Sequence, residues 1–343
     1  MALQSSGQIK YSEITAEFGS PNTGGLGQYR LDGGEDVGSL TNLPLDTGVP
    51  TSGQIKFSDF YSKKLNHVVD LHSIGNNTSR QVAKDRWNNG NVHIVGSTKT
   101  GKGQPPNTTD DRVIINVNNT IRSAKGTQTH CALRTGNWDT NTTLEIEIGT
   151  SGKLFGSGGD GGTGGSANET PGSDGQTGSS ALGIEYPCTI NNLGVIQSGY
   201  GGGGGGGGNT RTTGGGKKSG ATTNGSSGGG GGGGAGLPAG DAGGVQTPLV
   251  QGGGSAGSAG QAGSLSGQAT GGGGGTEAGD GGDSSPVNNT ATKAENGTQP
   301  SGAASGGTGG DNGYAIITNQ GSAPSLTGGG SLTGRTITST NPT

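Results

Sequence analysis

The chain has 343 residues, 20 Lys and Arg against 24 Asp and Glu for a formal net charge of −4, and an apolar share of only 24%. Ordinary globular chains carry roughly 45–50% apolar residues, so a conventional oily core cannot run through the whole length. The acidic balance excludes the basic footprint of a nucleic-acid binder, and no run approaches the roughly 18–20 apolar residues of a membrane span.

The first 65 residues contain a repeat: Ser6-Gly-Gln-Ile-Lys-Tyr-Ser-Glu-Ile14 returns 46 positions later as Ser52-Gly-Gln-Ile-Lys-Phe-Ser-Asp-Phe60. Each copy reads as a turn, a short strand and a serine N-cap (Ser12, Ser58) ahead of an acidic residue in the first helical turn. One helix is expected to end at Gly19 and the other near Asn66, with a Gly-, Pro- and Asn-rich loop over 20–50 between them. Units this short have no core of their own and need a larger surface to lie on. Residues 1–65 are therefore expected to be a docking module, contacting its partner through Gln8, Ile9 and Tyr11 of one copy and Gln54, Ile55 and Phe57 of the other. The start, Met1-Ala-Leu-Gln-Ser-Ser, has neither the basic nor the apolar region of an export signal, so assembly in a reducing cytosol is expected.

Residues 66–148 carry the β signal. His67–Leu71, Asn91–Val95, Val113–Val117 and Thr143–Ile148 are short apolar or alternating runs bounded by turn residues, and both tryptophans, Trp87 and Trp138, fall in this block. It reads as a small all-β unit with a modest core. Cys131 and Cys188 do not make a disulfide framework and are read as buried thiols. A second repeat leads onward: Ala132-Leu133, Leu144–Ile148 and Gly152–Gly156 are echoed by Ala181-Leu182, Cys188–Ile190 and Gly194–Ser198, each copy running into a glycine tract. A pair of β coils feeding the glycine region is expected, with Tyr314–Thr318 returning as a closing strand.

Of 83 glycines, 66 fall in residues 149–343, and beyond Tyr200 the only aromatic is Tyr314. Ordering backbone costs roughly 1–2 kcal/mol per residue, most for glycine, and this segment has little apolar area to offset it. The register of the glycines suggests how it folds nonetheless. Gly-Gly-Asp160, Gly-Gly-Thr163 and Gly-Gly-Ser166 repeat at period three, as do Gly172, Gly175 and Gly178, then Gly254 through Gly263, then Gly307, Gly310 and Gly313. Three residues per turn is the polyproline II spiral, in which a glycine column strips one face and admits a neighbouring backbone. The all-glycine run Gly201–Gly208 strips all three faces, as a central helix would require. Residues 149–320 are expected to be a packed bundle of polyglycine II helices, cohering through interchain N–H···O bonds and Cα–H···O contacts, with 321–343 as a tail. Flexible Gly/Ser linker is the bland alternative. Collagen is excluded by the register breaks and by a content of only 13 prolines. The fold expected for the whole chain is mostly β and polyglycine II.

Gly152-x-Leu154-x-Gly156-Ser-Gly-Gly-Asp-Gly-Gly, the stretch Thr189-Ile-Asn-Asn-Leu-Gly-Val-Ile196 leading into Gly201–Gly208, and Gly313-Tyr-Ala-Ile316 resemble the glycine-rich domain of bacteriophage tail-fibre proteins. That domain is similar to the one in the distal tail-fibre adhesins of T-even-like phages, where packed polyglycine II helices present loops to host receptors. The paired Ser-Gly-Gln-Ile-Lys units resemble N-terminal segments of tail proteins of marine and cyanobacterial phages, and differ from the attachment domain of the T-even adhesins. The resemblance implies a virion tail component assembled in the host cytoplasm. Its partners would be other phage tail proteins and a host cell-surface protein or polysaccharide, and the chain would be trimeric or attached to a trimeric fibre.

The residues give no expectation of catalysis. Gly96-Ser-Thr-Lys-Thr-Gly101-Lys102-Gly103 approaches a phosphate-binding loop, but Gly103 stands where a hydroxyl must hold magnesium, and Gln104-Pro-Pro106 stands where a helix must begin. The neighbours Asp110 and Asp111 point to opposite faces of a strand. His67, His72, His93 and His130 lack metal-ligand spacing. Neither cofactor nor metal is expected, and recognition by loops on a rigid scaffold remains. The candidate loops are 209–227, with Arg211, Lys217, Lys218 and Asn224; 237–251; and 283–301, with Asn288, Asn289 and Lys293. The first is locally basic, suiting an anionic receptor. A purely structural tail or spike component is the alternative. An ice-binding face would need a regular Thr or Ala column, which Asp160, Thr163 and Ser166 do not provide.

Overall fold

A computed structural model gives the architecture. It describes residues 3–18, 53–63, 66–71, 112–138, 142–167, 170–213, 222–246, 257–265, 269–271, 278–284, 293–300, 303–319 and 323–338, with isolated positions at 26, 78–79, 81–83, 85, 92–93 and 342. The described chain is mostly β, with one α-helix.

The two N-terminal copies fold onto each other. The helix α1 (Tyr11–Phe18) and a 3₁₀ turn at Phe57–Phe60 share a small core of Ile9, Ile14 and Phe60. The Leu3 N–H donates to the Lys63 carbonyl (2.8 Å) and the Ser62 N–H to that of Gln4 (3.0 Å). Both copies cap alike, but not through serine as the sequence suggested. The acid three residues on reaches back, Glu13 accepting from the Lys10 N–H and Asp59 from the Lys56 N–H, each at 2.7 Å. Each helical segment therefore starts one residue before Ser12 or Ser58. Neither copy forms the expected short strand, and the second is a single 3₁₀ turn ending at Phe60 rather than near Asn66. Gly7 and Gly53 sit at matching positions with φ of +92° and +74°, left-handed values that favour glycine in the turn preceding each copy.

The β strands wind as a three-sided parallel solenoid. Its first turn is β1 (Asn66–Asp70), β2 (Thr78–Ser79) and β3 (Gln81–Val82), and β4 (Val92–His93) pairs antiparallel to β1. The second turn is β5 (Arg112–Val117), β6 (Thr120–Arg122) and β7 (Cys131–Arg134). The third is β8 (Thr143–Ile148), β9 (Lys153–Phe155) and β10 (Ser180–Ile184). The fourth is β11 (Cys188–Asn192), β12 (Val195–Gln197) and, after the hairpin β13 (Asn209–Thr213) and β14 (Thr222–Ser226), β15 (Tyr314–Thr318). The fifth, within the expected tail, is β16 (Ser325–Thr327), β17 (Ser331–Thr333) and β18 (Arg335–Thr338). First, second and third strands of successive turns stack into three parallel sheets.

Register explains the stacking. On the first face Ile115, Ile146, Ile190 and Leu326 align; on the second Ile121, Leu154, Ile196 and Leu332; on the third Leu133, Leu182 and Ile316. Alternation along β8 turns Leu144, Ile146 and Ile148 inward and leaves Glu145 and Glu147 outside. The columns of the first four turns and Trp138 form one core shared by all three faces, with Leu332 of the fifth turn packed half-buried against it and Leu326 exposed at its end. Cys131 and Cys188 are both free thiols on different faces, and burial pushes the Cys188 thiol up to about 12.

The glycine-rich segments are insertions in this solenoid, interleaved with its strands rather than following them. They enter at the corner between the second and third faces, residues 156–179 in the third turn and 198–313 in the fourth, where the second turn has only the short connection 123–130. They run side by side, joined main chain to main chain at period three. The N–H groups of Gly202, Gly205 and Gly208 donate to Gln176, Ser173 and Thr170; those of Gly203 and Gly206 to Gly232 and Gly229; those of Gly204 and Gly207 to Glu295 and Thr298, all within 2.8–3.2 Å. The carbonyls of the same run accept from 162–165, from 279–282 and from 304–310. The octaglycine is thus surrounded by six neighbouring tracts and is buried throughout.

A Cβ placed on Gly204 would stand 2.1 Å from the Gly307 carbonyl oxygen, whereas one on Gly329 would meet nothing within 4 Å. Gly204→Val is expected to cost at least about 3 kcal/mol or to yield insoluble protein, because backbone rather than a movable side chain must give way. Gly329→Ala should stay within about 0.5 kcal/mol. Thermal melts of the two variants check this, and equal melting temperatures would mean that the run is not packed.

Candidate functional site

Two ends of the glycine region can be told apart by what they bond to. At the base, Gly156 donates to Gln197 of β12 (2.8 Å), Gly199 to Ser179 (2.8 Å) and Gly313 to Gly199 (2.9 Å), all next to solenoid strands. About nine residues further along, Gly165 donates to Gly206, Gly208 to Thr170 and Ala304 to Gly208. This is the distal end, and the chain reverses there in ways that bring polar segments together.

The base is held by one turn of the solenoid. Residues 123–130 lie beneath the tracts: Ser179 Oγ donates to the Ala124 carbonyl (2.6 Å), Gln128 Nε2 to the Asn312 carbonyl (2.6 Å) and Ser180 Oγ to the Gln128 carbonyl. Lys125 Nζ sits 2.5 Å from Asp160 Oδ1 and 3.0 Å from Asp241 Oδ2, tying two tracts to this turn. Burial alone would lower the Lys125 pKa, but hydrogen bonds to Asp160 and then Asp241, with their charge, outweigh it and raise it above the ordinary lysine value.

Along the bundle, short polar side chains accept main-chain N–H groups that face no carbonyl. Asp160 Oδ1 accepts from Asp241 (2.7 Å), Asp174 Oδ1 from Thr308 (2.7 Å), Asp283 Oδ1 from Gly271 (2.8 Å) and Asn296 Oδ1 from Gly309 (3.0 Å). The Thr308 N–H, followed by its hydroxyl, holds the Asp174 carboxyl below its usual range. These Asp and Asn positions between glycines therefore mark contacts between tracts.

The distal end gathers three segments. In the reversal at 166–170, Ser166 Oγ lies 2.7 Å from Thr170 Oγ1. The hairpin β13–β14 rises beside it, with Thr210 Oγ1 donating to the Ala167 carbonyl. The turn at 299–303, closed by the Ala303 N–H on the Pro300 carbonyl (3.0 Å), is bridged to the hairpin through Asn209 and Ala303.

The residues singled out from the sequence separate. Arg211 and Asn224 are directly paired across the hairpin at the distal end. Lys293 lies at the base, bridged to Asp311, and so is not part of the same surface. Lys217, Lys218, Asn288 and Asn289 lie outside the described residues, as do 96–103, His72, Asp110 and Asp111. In the N-terminal copies Gln8, Gln54 and Phe57 are exposed, Tyr11 and Ile55 are half-buried, and Ile9 belongs to the small core. Lys125, Asp160 and Asp241 were not anticipated, because 35 to 116 residues separate Lys125 from the two acids. The hairpin lies where the sequence predicts loop, although its Thr-Arg-Thr-Thr213 and Thr222-Thr runs carry a β-branched signal. Among the described residues no group of three or more His, Cys, Asp or Glu could hold a metal ion, and no helix is long and apolar enough to cross a membrane.

A family model described as phage tail fibre adhesin Gp38 matches residues 86–341, three quarters of the chain. No curated protein and no solved structure matches it.

The Lys125 tie has a pH signature. A lysine whose folded pKa is raised contributes stability that is fully present below its unfolded value of 10.5 and is lost as the pH rises through the folded value. Lys125→Met should melt below the wild type at about pH 9, and the gap should narrow in melts repeated above the unfolded value of 10.5. A gap unchanged between the two conditions would show that the ion pairs add nothing.

Proposed function

The chain belongs to the phage tail fibre adhesin Gp38 family, and from that premise we propose that it binds a host cell-surface receptor through the distal end of its glycine region while its N-terminal repeats dock on another tail protein. One observation carries the reading: the interleaved insertions bring 166–170, the β13–β14 hairpin and 299–303 together at the end remote from the solenoid. The tracts are polyglycine II helices on this reading, supported by the period of three in their donors and by their parallel and antiparallel neighbours. At ~3.1 Å per residue, nine residues hold the distal segments roughly 28 Å from the solenoid. The protein then works as a binding component of the virion tail, without catalysis, with 1–65 for docking, the solenoid strands between 66 and 338 for support, and the insertions 156–179 and 198–313 for recognition.

The basic character of 209–227 supports a partner of opposite charge, since Arg211, Lys217 and Lys218 meet no acid within the segment. Exposed Phe57 with Gln8 and Gln54 is the surface proposed for docking. A structural spike without receptor binding is separated from this reading by one exchange. Replacing 209–227 by a Gly-Ser linker should abolish or redirect adsorption of the phage to its host while the melting temperature holds, and unchanged adsorption counts would leave the spike. Phe57→Glu should deplete the protein from assembled tails without unfolding it, which a protein-content assay of purified particles reads directly. Normal occupancy would move the docking surface elsewhere.

A further inference from the structure

We infer that the β13–β14 hairpin takes its receptor by strand addition, accepting an extended acidic polypeptide segment as a third strand. This rests on the recognition role proposed for the distal end. Asn209–Thr213 pairs with Thr222–Ser226 in a sheet of two strands, and among the described residues only the Asn209–Ala303 bridge extends it. A two-stranded ribbon is marginal in water, and a third strand is the usual remedy. The root of the ribbon is fixed, because Asn209, Gly225, Ser226 and Ser227 are buried and Thr210 is tied to Ala167. Beyond the root, the outer edge of either strand is a main-chain template. Natural edges are blunted by proline, by charged side chains, lysine above all, or by a bulge. These two strands carry no proline and a single charge, Arg211, their pairing is regular, and five of their ten residues are threonine, which suits pairing.

The chemistry of the partner follows from what the segment contains and lacks. From 199 to 240 there is no Asp or Glu, against three cations on a chain of net −4, so an acidic partner is drawn in. Residues 201–313 contain no Phe, Trp or Tyr. A sugar ring or an apolar anchor would therefore find no aromatic face. Main-chain donors and acceptors remain, and these select an extended backbone.

The test uses the full-length protein and surface vesicles shed by the host strain, untreated, protease-treated or periodate-treated, with amide hydrogen exchange followed over the two strands. Protease should weaken binding by about tenfold or more, periodate should leave it intact, and the amides of one strand should slow by about tenfold on binding. Arg211→Glu should weaken vesicle binding by about tenfold without moving the melting temperature. Binding that survives protease or falls with periodate would assign the site to a polysaccharide and overturn the inference, as would hairpin amides that exchange at the free rate. An Arg211→Glu variant that binds like the wild type would overturn the acidic partner. If the Gly-Ser replacement of 209–227 loses vesicle binding while the wild-type amides are unchanged on binding, strand addition fails and distal recognition stands. If that replacement binds like the wild type, both fail.

Discussion

A peptide group with no Cβ beside it can be approached from every side by another peptide group, and the distal half of this protein depends on that. Around Gly201–Gly208 each position would place a Cβ about 2 Å from a neighbouring carbonyl, so the absence of side chains is the condition for packing. Directional main-chain bonds take over the part that apolar contact plays elsewhere. Such an interior tolerates little drift, because a methyl group displaces backbone rather than a rotamer. It also frees the outer positions from any duty to be apolar, and short polar residues there accept the N–H groups left over between tracts.

Glycine tracts alone would gain little from being near one another, since the entropy of ordering them is large. The solenoid reduces that loss by fixing where the tracts begin and end. Its three faces are built of stacked Ile, Leu and Val columns of the ordinary kind, and each turn can lengthen at the corner between the second and third faces without disturbing the register of the strands. Residues 123–130, 156–179 and 198–313 are successively larger uses of that corner, and the smallest braces the others through Lys125, Ala124 and Gln128. The connection between the apolar core and the polar distal end is thus mechanical: the core sets the base, and the main-chain bonds carry the direction to the reversals far from it.

Much of this was legible in the sequence, and the rest was hidden for identifiable reasons. Thr143–Ile148 and Tyr314–Thr318 are strands as read, because alternation or a short apolar run between turn residues is a local signal. The echo of Leu144–Gly156 in Cys188–Ser198 reflects real stacking, since both copies lie in register on the same two faces. The period of three in the glycines matches the period of three in the hydrogen bonds. What stayed hidden was closure across distance: Ser325–Thr338 reads as tail because its strands are three or four residues long and become strands only by pairing with β11, β12 and β15. The serine caps misled because Glu13 and Asp59 reach back to the N–H groups of Lys10 and Lys56, which starts each helical segment one residue before its serine. Lys293 is placed beside Arg211 because both fall in long polar connections between glycine tracts, and loop length does not report which end of a bundle a residue occupies.

The claim on which everything else rests is that bare backbone forms a cooperative interior. Native-state amide hydrogen exchange at Gly202–Gly208 measures it most directly, with Ile115 and Ile146 of the solenoid as the internal standard. The account predicts protection of the glycine amides comparable with that of the two isoleucines. Glycine amides exchanging at the rate of an unstructured peptide, beside protected isoleucines, would contradict it.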